Sequence, residues 1–272
     1  MQVLAAALAL AAAAPPAVRC EALSRAAPGA LPLVFLYEGY GAAAEGDADA
    51  RAFAAALATK APFDAEPVAL YALRGTPAGT CRREVKNSLN PHLSCAPDAS
   101  GYSGTCRLPR FKLVVLARVS FVSHAAVALP GVPSPVFVST DGPRDAWTHD
   151  AVHELGHAFA LRDERASIVA RVGSPASEPG PNCAPDAARA RARWGDLAAS
   201  GDAGYFAGCA GHKDWLRPND ATLMGLPRQA DAWAAGYGAA SVRYLRAALR
   251  CCYGGDVERC RAAPELAECA AR

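Results

Sequence analysis

Apolar residues along the chain fall into two kinds of pattern. LPLVFLY (31–37), PVALYAL (67–73), FKLVVLARVSFV (111–122) and SPVFVST (134–140) are apolar runs with little polar alternation, and they predict buried strands. Between the first two, DADARAFAAALATK (47–60) sets Phe53, Ala56 and Leu57 on one helical face, with Asp47 or Asp49 near its start. Strand, helix and strand in that order predict a parallel βαβ unit, hence an α/β or α+β domain. Gly142-Pro143 breaks the chain, and a helix is predicted from near Asp145 or Thr148 to about Leu161. Two more are predicted over 185–198 and 228–250, the last with Val242, Leu245 and Leu249 on one side. Residues 74–110 and 165–220 read as loop-rich. A loop as long as the first needs pins, and its three cysteines supply them.

The first residues, MQVLAAALALAAAAPPA, form an apolar run about half as long as a bilayer requires. They read as a secretory leader covering residues 1–22 at most, with cleavage near Ala17 or Ala22. Arg19 precedes Cys20, where lipidation would need a small residue, so no lipid anchor is expected. Ten cysteines without a CxxC pair suit structural disulfides in a secreted, extracellular or periplasmic protein. Cleavage that retains Cys20 keeps their number even. The apolar fraction of 52% is ample for one large domain, expected over 28–250, and 251–272 reads as a cysteine-rich, stapled tail. A formal net charge of +2 gives no reason to expect nucleic acid or an anionic membrane as partner. No transmembrane anchor follows the leader, and the expected state is a monomer.

The chemistry concentrates in HELGHAFALRDE (153–164). Positions i and i+4 share one face of a helix, so His153 and His157 can aim a ring nitrogen each at one metal ion. Glu154 is offset around the helix and suits a general base acting on water. Val152, Leu155 and Phe159 form an apolar opposite face, and Gly156 predicts close approach of another backbone, expected from a sheet strand. A catalytic zinc site needs a third protein ligand. Asp163, six residues after His157, has the spacing of the last ligand in HExxHxxGxxH, and Glu164 is the alternative. His149, one turn before His153, reads as a supporting or helix-start residue.

Four ordered blocks extend the match. LVFLYEGY (33–40) with the 47–60 helix and APF (61–63), the 153–164 segment, GPNC (180–183) with RWGDL (193–197), and WLRPNDATLMG (215–225) together resemble the M64 family of zinc metallopeptidases, related to the metzincins. The resemblance implies a metzincin-like mixed, twisted sheet, an active-site helix, a C-terminal helix and a methionine turn at Met224 beneath the metal. It also implies Zn2+ held by His153, His157 and Asp163, with Glu154 catalytic. Arg165 follows Glu164 where the family has tyrosine, and Glu38 stands where it has aspartate.

The expected function is a secreted zinc endopeptidase acting on protein or peptide substrates. His212 and Tyr205 are the candidate oxyanion donors. Two other readings use the same residues: a binding or scaffold protein that keeps the zinc fold without turnover, and a zinc amidase acting on cell-wall peptides. Specificity is expected to reside in the loops at 74–110 and 165–215.

Overall fold

The run LPLVFLYE becomes β2 (Leu31–Glu38), and its lack of alternation has a direct cause: the strand is covered on both faces. Leu31, Leu33 and Phe35 pack into one core with α1 (Ala43–Leu57) and α3 (Arg144–His157), while Val34 and Leu36 pack into a second core on the reverse face. The computed structural model describes residues 17–77, 79–85, 91–96, 99–165, 176–226 and 228–256, with 258, 260, 266 and 269. Most of the expected leader lies outside the described residues.

β1 (Arg19–Ala22), β3 (Val68–Arg74), β6 (Lys112–Ala117), β7 (His124–Ala125) and β8 (Ser134–Ser139) complete a six-stranded sheet of order β1-β3-β2-β6-β8-β7. The four inner strands are parallel and the two outer ones run antiparallel to their neighbours. The predicted βαβ unit is β2-α1-β3, with Leu33 opposite Leu70. β1 adds an edge, and Cys20 within it is bonded to Cys106. Of the two expected cleavage points, only the one near Ala17 leaves this strand and its disulfide in place.

Several boundaries differ from expectation for identifiable reasons. Helix α1 starts at Ala43, upstream of the aspartates expected to begin it. Asp47 and Asp49 lie inside the helix as ion-pair partners: Asp47 binds Arg74 and the Tyr37 hydroxyl, and Asp49 binds Arg144 and the Tyr40 hydroxyl. The 111–122 strand stops at Ala117. The 74–110 segment is not merely loop. It folds a hairpin of β4 (Cys81–Val85) and β5 (Pro91–Cys95), closed by a Cys81–Cys95 disulfide, then a short 3-10 turn (Ala99–Tyr102) and α2 (Ser103–Cys106). Cysteines do pin it, as expected.

Helix α4 (Ala187–Ser200) is capped by Asp186, whose side chain accepts from the Arg189 N–H at 2.8 Å, and Gly201 ends it. A second hairpin, β9 (Phe206–Cys209) with β10 (His212–Arg217), was not anticipated in the 165–220 loop. The single helix expected over 228–250 is two, α5 (Ala230–Ala235) and α6 (Ala239–Cys252). Gly236 and Gly238 break it with φ of 63° and 74°. The break is used: the Gly236 carbonyl accepts from the Leu223 N–H at 2.8 Å, and Tyr237 drops into the core. Cys251–Cys260 and Cys252–Cys269 then fold the tail back, so Cys260, Leu266 and Cys269 join the main core. Leu245 and Leu249 are buried, with Val242 at the core's margin.

Helix α3 ends at His157, four residues before the expected Leu161, because Ala160 turns left-handed at φ 67°. The Leu161 N–H bonds back to the Gly156 carbonyl at 3.1 Å and closes the turn. A side chain in this conformation is strained. Ala160→Gly is therefore expected to stabilise the protein by about 0.5–1 kcal/mol after the glycine's greater unfolded-state entropy is counted. The urea unfolding midpoint of the variant checks this, and a midpoint below wild type contradicts it.

Candidate metal centre

Ala151, Val152 and Leu155 hold α3 against the sheet, leaving His153, Glu154 and His157 on its other side. All three are nonetheless buried, at 7%, 9% and 7% exposure. Their ligand atoms lie within 4.8 Å of one another, a group that can hold a metal ion. The turn at Ala160 reverses the chain and brings Asp163 back over the helix. Its Oδ1 lies 3.3 Å from His153 Nε2 and 3.7 Å from His157 Nε2.

The donor chemistry tests the fit. His153 Nδ1 is 2.6 Å from the Leu223 carbonyl and His157 Nδ1 is 2.8 Å from the Leu161 carbonyl. A carbonyl only accepts, so each Nδ1 carries the proton and each Nε2 presents a lone pair. Two lone pairs and a carboxylate oxygen thus face one another with no hydrogen among them. Such a triangle is stable only around a shared cation or a captured proton, and the residues fit a divalent ion.

The electrostatics of these side chains agree. Burial opposes charge on His153, but the Asp163 hydrogen bond and the Glu154 charge outweigh it and its pKa rises. Burial likewise opposes charge on His157, yet Asp163 beside it lifts its pKa to about 9. Burial would raise Asp163, but the His157 charge and the His153 bond pull it far below the usual carboxylate range. Burial pushes Glu154 up to about 7, only partly offset by the two histidines. The pocket draws positive charge to the point between the imidazoles.

Glu164, the alternative third ligand, faces the other way. Its carboxylate accepts from the Thr222 hydroxyl at 2.7 Å and from the Asn182 amide at 3.1 Å. Burial pushes its pKa to about 7, against those two hydrogen bonds. Its N–H donates to the Met224 carbonyl at 2.9 Å. Asn182 also grips the Arg162 backbone, N–H and carbonyl, at 2.8 Å each. Sequence reasoning gave roles to neither Asn182 nor Thr222, and none to the carbonyls of Leu161 and Leu223. Asn182 sits in the GPNC block and Thr222 in the WLRPNDATLMG block, the available signals.

Met224 is fully buried against α3. A Cβ added to Gly156 would lie 2.5 Å from its Sδ and 3.0 Å from Tyr237 Cε1. Close approach at Gly156 was expected, but from a strand backbone; the neighbours are two side chains. Tyr237 also donates its hydroxyl to the Val152 carbonyl, fixing the helix from behind. His149 stacks on Trp233 with centroids 3.7 Å apart, and Lys60 covers that indole at 3.9 Å. The expected oxyanion donors have other contacts. His212 stacks on Trp215 and sets Nε2 2.8 Å from the Ala176 carbonyl, and Tyr205 is exposed beside Gly195. The other sulphur cluster, Cys251, Cys252 and Cys269, is consumed in disulfides.

No family model matches the chain, and no curated protein matches it. Five disulfides suit folding outside a reducing compartment. Among the described residues no helix is long and apolar enough to cross a membrane.

Proposed function

We propose that the protein is a secreted zinc-dependent endopeptidase of the metzincin kind. One observation carries the reading: His153 Nε2, His157 Nε2 and Asp163 Oδ1 converge as three acceptors, with the buried carboxyl of Glu154 beside them. A zinc ion bound in that triangle would supply Lewis acidity to polarise a peptide carbonyl and acidify water near it. His153 and His157 would hold it through Nε2, with their rings fixed by the Leu223 and Leu161 carbonyls. Asp163 provides the negative charge, and the Glu164–Asn182–Thr222 bonds keep its segment in place.

Glu154 takes the proton from the attacking water and returns it to the departing amine. Its burial excludes bulk water as a competing acceptor. Met224 packs under Gly156, between the two histidines in sequence, where it supports the helix that carries both. The expected leader, with Cys20 retained and paired, supports export.

The purified protein is expected to hold close to one zinc per chain and to digest casein. Chelation abolishes digestion and added zinc restores it. Bound metal without chelator-sensitive cleavage would instead favour a binding protein, and activity confined to cell-wall peptides would favour an amidase.

A further inference from the structure

The chain between His157 and Asp163 forms one wall of a cavity of about 500 Å3. Ala160 and Arg162 contribute from that wall, and the Ala128 N–H donates to the His157 carbonyl at 3.0 Å, tying the opposite rim to the end of α3. The size suits a side chain or a short peptide end. Its lining joins two chemistries. Val127 and Leu129 are apolar yet 37% and 46% exposed, and among the described residues of the lining Arg162, Arg189 and Arg193 face one acidic residue, Glu178.

The arginines differ in what already occupies them. Arg193 donates to the Gly180 carbonyl at 2.5 Å and to that of Cys183, so it braces the wall. Arg162 Nε is buried without a hydrogen-bond partner, which is costly for a guanidinium. The Glu178 and Asp163 charges act on Arg162 through space, but among the described residues neither Arg162 nor Arg189 forms an ion pair within 4 Å. Asn182 clamps the Arg162 backbone on both sides, so the chain that carries this guanidinium is fixed before any ligand arrives.

We infer that this cavity receives a carboxylate of the peptide substrate, held by Arg162 and Arg189, with an apolar neighbour against Val127 and Leu129. The inference rests on the peptidase reading and adds the substrate class to it. A carboxylate matches the planar donor fork of arginine and satisfies the buried Nε. It can come from an internal aspartate or glutamate, or from the substrate's own C-terminus; the second would make the enzyme trim ends.

The test pairs binding with cleavage. Peptides differing only by Glu or Gln at one position, each with a free or an amidated C-terminus, are titrated calorimetrically into the full chain carrying Glu154→Gln. The same peptides are offered to the active protein. The expected result is roughly tenfold tighter binding of the carboxylate member of one pair, internal or terminal. Arg189→Glu, which places an acid in the first turn of α4 where helices favour one, brings the ratio toward one, and Arg162→Gln does the same. Equal binding of acid and amide in every pair overturns the inference, as does binding of none of the peptides. Cleavage with equal binding sinks the cavity and leaves the peptidase. A tenfold preference with no peptide cut sinks the peptidase and leaves the cavity.

Discussion

Glu154→Gln is expected to lower kcat/KM on a peptide substrate by between about 10² and 10⁴-fold while leaving zinc content unchanged. Glutamine keeps the shape but has no basic oxygen to accept a proton from water. The paired readout separates two roles that the geometry allows, because Glu154 belongs to the buried group that can hold a metal. If it were a ligand, zinc would be lost along with activity. Its pKa near 7 applies to the ion-free site and is set by burial. A neighbouring cation lowers it, so the acid limb of the rate profile is expected below pH 7. Full activity in the glutamine variant would remove Glu154 from the mechanism.

Asp163→Asn is expected to abolish zinc binding at micromolar metal and to flatten the stability profile of the metal-free protein. In the unsubstituted chain His157 has its folded pKa raised from 6.5 to about 9. A base raised in the fold stabilises it fully below pH 6.5 and ceases to do so as pH climbs through 9. Glu154 and Glu164, raised from 4.5 to about 7, act in the same direction between those values, since the fold favours their protonated forms. The chelated wild-type protein therefore weakens from about pH 4.5 to 9. Removing the Asp163 charge takes away the His157 share, so urea midpoints at pH 6 and 9 move closer together. Zinc and protons compete for the same Nε2 atoms, so wild-type zinc affinity rises over that range. A variant that keeps stoichiometric zinc would show that Asp163 is not a ligand.

The site was legible in the sequence where it is local. His153, Glu154 and His157 lie within five residues on one helix, so a single periodicity fixes their mutual placement. Asp163 lies one turn at Ala160 beyond that helix and faces the histidines, while contacts made from far away turn Glu164 aside. Thr222 and Asn182 claim Glu164 from 58 and 18 residues distant. The carbonyls that orient the imidazoles carry no residue signature at all, since any amino acid at 161 or 223 offers one. The same distinction holds for the fold. Buried strands announce themselves as apolar runs, whereas the hairpins at 81–95 and 206–217 are short, polar and partly exposed. Disulfides hold the first shut and anchor the second to Cys183, and among the described residues only Cys81 and Leu93 of the first are buried in the core on the reverse face of the sheet. The continuous helix expected over 228–250 passed over Gly236 and Gly238, the two glycines around Tyr237 at which α5 and α6 separate.

The paired cysteines at the end of α6 set a condition on how the chain must be made. Cys251 and Cys252 are consecutive and reach Cys260 and Cys269. Neighbouring positions on a helix point about 100° apart, so only a formed last turn tells the two thiols which partner each should take. Exchanging partners is the nearest scrambled isomer. Arg110, which donates to the carbonyls of Cys252 and Cys269, penalises that isomer by holding the correct pair together. Preparations from a host lacking a disulfide-shuffling catalyst are thus expected to contain a mass-identical species separable by reversed-phase chromatography.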